Sequence, residues 1–247
     1  MDDLLRYAIP LVCIVGVAVL VIAVILVARR QRQARRANLL RMGFSPVEAG
    51  NPALAARIER LYRHRSSQRI RIDEPFQRAI EGGQLVLFDL VDTADSENSN
   101  LASNVLGVAS PRLNLPQFAM LPWAGSEGPN VGGGLAMLAA GAAQNVLGWA
   151  MKQAGMTRLN LPYSTDFNRD FSVYAKDQPA AFDFFTPERV AALQAIGRRY
   201  EIQAGGDFFT MKMGLDDQKH TFNFNTQPDV MLADAARLLA VFEKPGG

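Results

Sequence analysis

The longest apolar run in the chain covers residues 8–28 and contains no charged and no strongly polar side chain. A helix rises about 1.5 Å per residue, so this run reaches roughly 30 Å, which is the thickness of the hydrocarbon core of a bilayer. A single segment in lipid satisfies its backbone hydrogen bonds only as a helix. The pattern therefore predicts one membrane-spanning helix.

A cleaved signal peptide and a buried core helix are the two alternatives for this run. A signal peptide has a basic start, a shorter apolar stretch and a small-x-small cleavage site. Here the chain starts Met-Asp-Asp, and Arg29 and Arg30 follow the apolar run directly. These features favour a retained spanning helix.

Beyond residue 72 the pattern changes to short strands and amphipathic helices. The strand-like ranges 84–92 and 101–110 form a predicted hairpin, and 200–204 and 208–213 form a second hairpin around Gly205 and Gly206. Further strands are predicted at 171–175 and at 112–122, where the prolines favour a sheet edge. The strands do not alternate regularly with helices, so the chain is predicted to be α+β with a mainly antiparallel sheet.

Capping residues mark the predicted helices. Asn51 followed by Pro52 opens a short helix with Leu54, Ile58 and Leu61 on one face, and Thr186 with Pro187 and Glu188 opens another with the stripe Val190, Leu193 and Ile196. A last helix is predicted at 228–242, with Met231, Ala235, Leu238 and Phe242 on one face.

Two other segments each leave a choice open. The sequence Met42-Gly43-Phe44 is shared with a loop of ubiquitin-binding modules, but a glycine that ends a helix before an apolar contact explains it more simply. Residues 132–154 are rich in Ala, Gly and Leu, and they predict a helix on the head or on the bilayer surface. The uncharged run 129–151 is long enough for a second span, which its central Gln144 and Asn145 disfavour.

Charge divides the chain into three predicted regions. Between residues 29 and 72 there are twelve Arg, no Lys and only two Glu, whereas residues 73–247 carry thirteen Lys or Arg against twenty Asp or Glu. We therefore predict a transmembrane anchor at 1–28, an arginine-rich neck with a short helix at 29–72 and a soluble α+β head at 73–247. The single cysteine, Cys13, lies in the anchor, so the head has no disulfide framework.

The arginines that follow the apolar run predict its orientation. Six of them, here called the arginine collar, follow the run, and only Arg6 precedes it; the collar consists of Arg29, Arg30, Arg32, Arg35, Arg36 and Arg41. Because positive residues stay cytoplasmic, we expect the N-terminus outside and the head in the cytoplasm. The collar is also the expected membrane-surface contact, with anionic lipid head groups as partners. Nucleic acid is not an expected partner, since the neck lacks aromatic stacking platforms.

The sequence offers weak candidates for metal, cofactor or catalytic chemistry. The two histidines, His64 and His220, have no zinc-type cluster around them, and Asp89, Asp92, Asp95 and Glu97 lack the calcium-loop pattern. Residues 125–128 are not a nucleophile elbow, and the glycines at 132–134 lack the Gly-Lys-Ser/Thr of a phosphate loop. We therefore expect no metal, cofactor or catalytic residue.

Two classes of function remain. The first is a non-enzymatic binding or scaffold module at the membrane surface, with another membrane or cytoplasmic protein as a further partner. The second is an enzyme whose site assembles from dispersed head residues, for which the candidates are Asp166, Arg169, Asp170 and Lys176. An enzyme needs a deep pocket with converging charged groups, and a binding module needs a shallow apolar patch.

Several short motifs of the head are shared with one group of proteins. They are the run 115–122, residues 170–174 with Asp177, the triplet 185–187, and residues 200–202 with Gly206 and Asp207. Together they resemble uncharacterised bacterial single-pass membrane proteins, in which a similar cytoplasmic α+β head follows one N-terminal helix. The resemblance covers 84–242 and implies an inner-membrane location, but no catalytic residue or ligand. The glycine- and alanine-rich segment near 132–150 departs from that pattern.

Overall fold

The structure is a computed structural model that describes residues 2–47, 51–62, 70–92, 103–122, 151–152, 154–197, 200–213 and 228–244. In the first helix, the side chains of residues 2–19, 25 and 28 are not among those described. The chain divides into two compact units, Met1–Ser45 and Pro46–Gly247. Within the described residues, no helix is both long and apolar enough to cross a bilayer.

The first unit is dominated by one helix, α1 (Asp2–Arg41). It ends at Gly43, whose φ of 80° is in the left-handed region that glycine adopts without strain. The backbone N–H of Phe44 donates to the carbonyl of Leu39 at 3.0 Å, and that of Gly43 donates to Leu40 at 3.1 Å. This is a Schellman C-cap, and Leu39 and Phe44 are both buried. The interpretation of Gly43 as a helix stop is confirmed.

Within the described residues, nine strands form one sheet in the order β1-β2-β3-β4-β9-β8-β5-β7-β6, and every neighbouring pair from β2 to β6 in this order is antiparallel. The α+β class with a mainly antiparallel sheet is therefore confirmed. The strands are β1 (Ser45–Pro46), β2 (Ile70–Ile80), β3 (Gly83–Asp92), β4 (Ser103–Ala109), β5 (Leu115–Pro122), β6 (Thr157–Leu159), β7 (Phe171–Ala175), β8 (Tyr200–Gly206) and β9 (Phe208–Met213).

Five helices of the second unit are described. They are α2 (Pro52–Tyr62), α3 (Thr165–Asp170), α4 (Gln178–Phe184), α5 (Pro187–Ala195) and α6 (Pro228–Phe242). The predicted caps are present: Asn51 Oδ1 accepts from the N–H of Ala53 at 3.1 Å, and Thr186 Oγ1 accepts from the N–H of Arg189 at 3.4 Å. All apolar residues predicted for the inner faces of α2, α5 and α6 are buried.

The two faces of the sheet carry different cores because side chains alternate along each strand. On one face, Leu54, Ile58 and Leu61 of α2 join a cluster with Phe88 of β3 and Phe208 of β9. The other face packs mainly through phenylalanine rings from β5, β9 and the helices, with ring-centroid distances of 5.0–5.4 Å for several pairs. That cluster contains Phe118, Phe184, Phe185, Phe209 and Phe242.

The predicted edge position of β5 is wrong. β5 lies inside the sheet, between β8 and β7. Pro116 falls within a register irregularity between Leu115 and Phe118, and Pro122 is the last residue of the strand. An irregularity and a strand end are positions where the missing N–H of proline is tolerated in an interior strand.

The segment 132–154 lies mostly outside the described residues. Of its described part, Met151 is buried against a cluster formed by Ala119, Leu121, Met156 and Tyr174. The end of the segment therefore packs on the sheet. For residues 132–150 the helix stays a prediction.

Candidate functional site

Between residues 20 and 27 of α1, the apolar side chains that the structure describes are exposed, and they point in several directions around the helix. At 100° per residue, six positions between 20 and 27 leave no polar face. Their exposed fractions range from 47% to 65%; the residues are Leu20, Val21, Ile22, Val24, Leu26 and Val27. In water such a surface is costly, because each Å² of exposed apolar area loses about 25 cal/mol of burial free energy. A helix that is apolar all round requires an apolar surrounding.

The arginine collar follows this apolar surface on the same continuous helix. Five of its six side chains are exposed, and Arg35 is half-buried. Arg41 Nη2 donates to Asn38 Oδ1 at 3.4 Å. Between Leu4 and Arg41, α1 contains no acidic residue, so the helix itself supplies no carboxylate to the collar. An apolar surface thus changes to a cationic one within one helical turn.

The second unit has an open cleft of about 390 Å³ at the side of α6. Its floor is apolar and its rim carries four charged residues; the lining consists of Arg78, Ile80, Glu81, Leu85, Arg112, Leu232, Ala236, Leu239, Ala240 and Glu243. Glu243 is held by Ser110, whose Oγ lies 2.7 Å from Glu243 Oε1, and by Arg112, whose Nη1 lies 3.8 Å from Glu243 Oε2. The Glu243 carboxylate is therefore engaged in a hydrogen bond and an ion pair within the second unit.

The structure places the dispersed catalytic candidates on the surface. Arg169 pairs with Asp166 at 3.1 Å and with Asp170 at 3.7 Å, and the side chains of Arg169 and Asp166 are 65% and 71% exposed. Lys176 is exposed as well. None of these four residues lines the cleft. Asp166, Arg169 and Asp170 form surface ion pairs, which contribute little stability.

Sequence reasoning missed a buried polar cluster on the α2 side of the sheet. Tyr62 Oη lies 3.0 Å from Thr210 Oγ1, and Gln203 Nε2 donates to Glu201 Oε1 at 2.7 Å. Glu201 also approaches Lys212 Nζ at 3.8 Å. Gln203 Oε1 is buried without a hydrogen-bond partner among the described residues. Apart from Tyr62 on α2, these residues lie on the paired strands β8 and β9, and the signal that could have found them is the polar residues at alternate positions of these strands.

Within the described residues, no group of three or more His, Cys, Asp or Glu side chains could hold a metal ion. Asp89 accepts from Asn104 Nδ2 at 2.9 Å, as expected for a residue on a strand pair. The other metal, nucleophile and phosphate candidates lie mostly outside the described residues; they are His64, His220, Asp95, Glu97 and the glycine-containing ranges 125–128 and 132–134.

Comparison with known proteins gives one structural likeness. No family model matches the chain, and no curated protein matches it. The fold is similar to the crystal structure of the mycobacterial trehalose monomycolate transport factor A, TtfA, with a TM-score of 0.48 and 12% sequence identity. The alignment covers 86% of this chain and 95% of that chain. At this TM-score the likeness supports no statement about ligand, partner or activity.

Proposed function

We propose that this protein is a single-pass protein of the bacterial inner membrane that holds a non-enzymatic binding or scaffold module at the cytoplasmic surface. The observation that supports this proposal is the surface of α1. The six described large apolar side chains between residues 20 and 27 lie on several sides of the helix and are exposed, and the arginine collar follows them. In this proposal residues 8–28 span the bilayer and carry no charge that would oppose insertion.

The orientation follows from the asymmetry of charge around the span. The collar places six arginines after the span, whereas Arg6 alone precedes it. Arginines close to the end of a span stay cytoplasmic. The second unit is then on the cytoplasmic side, in agreement with what the proposed resemblance to single-pass bacterial membrane proteins implies.

The character of the charged residues in the second unit supports binding or scaffolding over catalysis. A catalytic site brings charged groups together in a pocket and leaves them available to substrate. Here Glu243 is used by Ser110 and Arg112, and Asp166 and Asp170 are used by Arg169. Among the described residues, the cleft beside α6 is the feature that supports the enzyme alternative.

Alkaline carbonate extraction of cell membranes tests the anchor. The full-length chain should stay in the membrane pellet, and a chain lacking residues 1–28 should leave it. Val17→Arg combined with Val19→Arg should release much of the protein, since each charge at the centre of a span costs about 3 kcal/mol. Leu40→Arg is the matched control, because Leu40 is 50% exposed on the same helix but lies beyond the span. Release of the unaltered chain would refute the proposal.

A further inference from the structure

Three arginines of the collar share one face of α1. Arg29, Arg32 and Arg36 have the spacing i, i+3 and i+7, which places them in one row along a helix. All three are exposed. Arg30 and Arg41 are eleven residues apart and lie on a different side, roughly 125–150° from the middle of this row. The collar is therefore a row of three cations with further arginines beside it.

The row has no anionic neighbour on its own helix. Like charges at i, i+3 and i, i+4 repel one another, and α1 contains no Asp or Glu after Asp3 to offset this repulsion. The neutral residues beside the row include Gln33 and Leu40. A dense row of exposed guanidinium groups suits an anion with several oxygens, because each planar fork binds a phosphate with two parallel hydrogen bonds.

The distance of the row from the proposed span favours lipid head groups over free phosphate as the bound anion. Arg29 follows the last residue of the span directly, and Arg36 lies about 12 Å beyond the end of the span along the helix axis. Side chains of a helix tilt towards its N-terminus, which for α1 is the direction of the bilayer. A long arginine stem at position 36 therefore brings its guanidinium back towards the head groups, whereas Arg41, about 20 Å beyond the span, is out of reach.

We infer that the Arg29–Arg32–Arg36 row binds the phosphates of anionic phospholipids and concentrates these lipids around the anchor. This inference rests on the proposed membrane span. Arg41, further from the bilayer, acts in orientation only, whereas Arg30, at the depth of Arg29 but on another side of the helix, contacts head groups outside the row. Each arginine near an anionic surface should raise the local preference for the lipid about fivefold, so the row as a whole gives a strong preference over zwitterionic lipid.

Energy transfer in nanodiscs tests the row with the full chain. A donor dye is attached at Ala34→Cys, on an exposed position away from the row, in a Cys13→Ser background. The nanodiscs contain phosphatidylcholine with a trace of acceptor-labelled phosphatidylglycerol or acceptor-labelled phosphatidylcholine. Transfer to the anionic acceptor should exceed transfer to the zwitterionic one by about fivefold or more. An excess of inorganic phosphate should leave this transfer ratio unchanged. A fall of the ratio to about one in phosphate would show that the row binds free phosphate instead.

Two triple variants that lose the same charge test whether the lipid preference comes from the row or from the net charge of the protein. Arg29→Gln, Arg32→Gln and Arg36→Gln together should bring the transfer ratio close to one. Arg41→Gln, Arg112→Gln and Arg169→Gln remove the same charge at exposed positions and should keep the wild-type ratio. Equal effects of the two triple variants, or no lipid preference in a wild-type chain that resists carbonate extraction, would overturn the inference. A wild-type chain that fails to resist extraction would instead refute the proposed span.

Discussion

Arg57 on α2 holds Asp207 in the turn between β8 and β9, with Arg57 Nε donating to Asp207 Oδ2 at 3.0 Å and Nη2 donating to the same oxygen. The carbonyl of Asp207 also accepts from the N–H of Ser110 at 3.0 Å. The turn is thereby fixed to α2 and to the end of β4. The hydrogen bond from Arg57 lowers the pKa of Asp207 below its ordinary value of 3.8, against a smaller opposing effect of burial.

The stability contributed by Asp207 should depend on pH in one direction. Because its pKa is lowered by folding, this contribution is fully present above about pH 4 and is lost as the pH falls through the folded-state pKa. The pair is about one-third exposed, so Asp207→Asn should cost only about 1 kcal/mol near neutral pH and nothing in strong acid. Urea unfolding at a series of pH values measures this. Asp166→Asn, at a 71% exposed side chain, is the control and should change little at any pH.

Arg189 is a buried cation that joins the C-terminal ends of two helices. Its Nη1 donates to the carbonyl of Phe184 at 2.9 Å, its Nη2 donates to the carbonyl of Lys244, and Nε lies 3.4 Å from the carbonyl of Val241. The guanidinium carbon also lies 4.4 Å from the centroid of the Phe184 ring. Carbonyls at helix ends lack intrahelical partners, and one planar donor group satisfies three of them.

Replacing Arg189 should therefore destabilise the second unit strongly. Arg189→Met leaves buried carbonyls without donors and should cost about 2–4 kcal/mol in free energy of unfolding. Arg189→Lys should recover only part of this loss, since an ammonium group lacks the planar fork. Thermal unfolding compares them with Arg237→Met, a control whose side chain is 56% exposed. A loss as small as that of the control would show that the contacts of Arg189 are dispensable.

Gly107 of β4 makes room for the ring of Phe208 on the neighbouring strand β9. A Cβ at Gly107 would lie 2.4 Å from Phe208 Cζ, which is far inside van der Waals contact. Gly107→Ala should therefore cost about 1–3 kcal/mol through overpacking. Phe208→Leu should cost stability by itself, yet the double variant should be more stable than the sum of the two changes implies. Strict additivity in this cycle would contradict the close contact.

The inner face of α5 is a simpler test of the core. Val190, Leu193 and Ile196 are at most 3% exposed. Leu193→Ala should then cost about 2–5 kcal/mol, as other large-to-small changes in cores do. Val230→Ala, at a 36% exposed position on α6, should cost much less. A change below about 0.5 kcal/mol for Leu193→Ala would place this residue outside the core.

Local signals in the sequence were sufficient to predict elements whose ends are marked by capping or turn residues. The helix Pro187–Ala195 begins after a Thr-Pro cap and ends before a glycine, and the hairpin of β8 and β9 turns at Gly206, whose φ is 64°. Such signals depend on neighbouring residues only. The helices α3 and α4 were missed because they have six and seven residues, too few for an apolar period to show.

Long-range features could not be predicted in the same way. The sequence predicts an edge position for β5 because Pro116 and Pro122 cannot donate a backbone hydrogen bond. The register irregularity that accommodates Pro116 lies between Leu115 and Phe118, and it depends on pairing with β8, which the sequence does not show. The ion pair of Arg57 and Asp207 joins residues 150 positions apart, and no local pattern marks it. The arginine collar is the opposite case, since its residues lie within thirteen positions of one helix and can be read directly from the sequence.

The central claim is that residues 8–28 cross the bilayer with the second unit in the cytoplasm. Single cysteines at Asp3 and at Gln33, each in a Cys13→Ser background, test it directly with an impermeant thiol reagent. In spheroplasts the cysteine at position 3 should react at once, and the cysteine at position 33 should react only after the membrane is opened. Equal labelling of both positions in intact spheroplasts, or labelling of position 33 alone, would contradict the proposed span and its orientation.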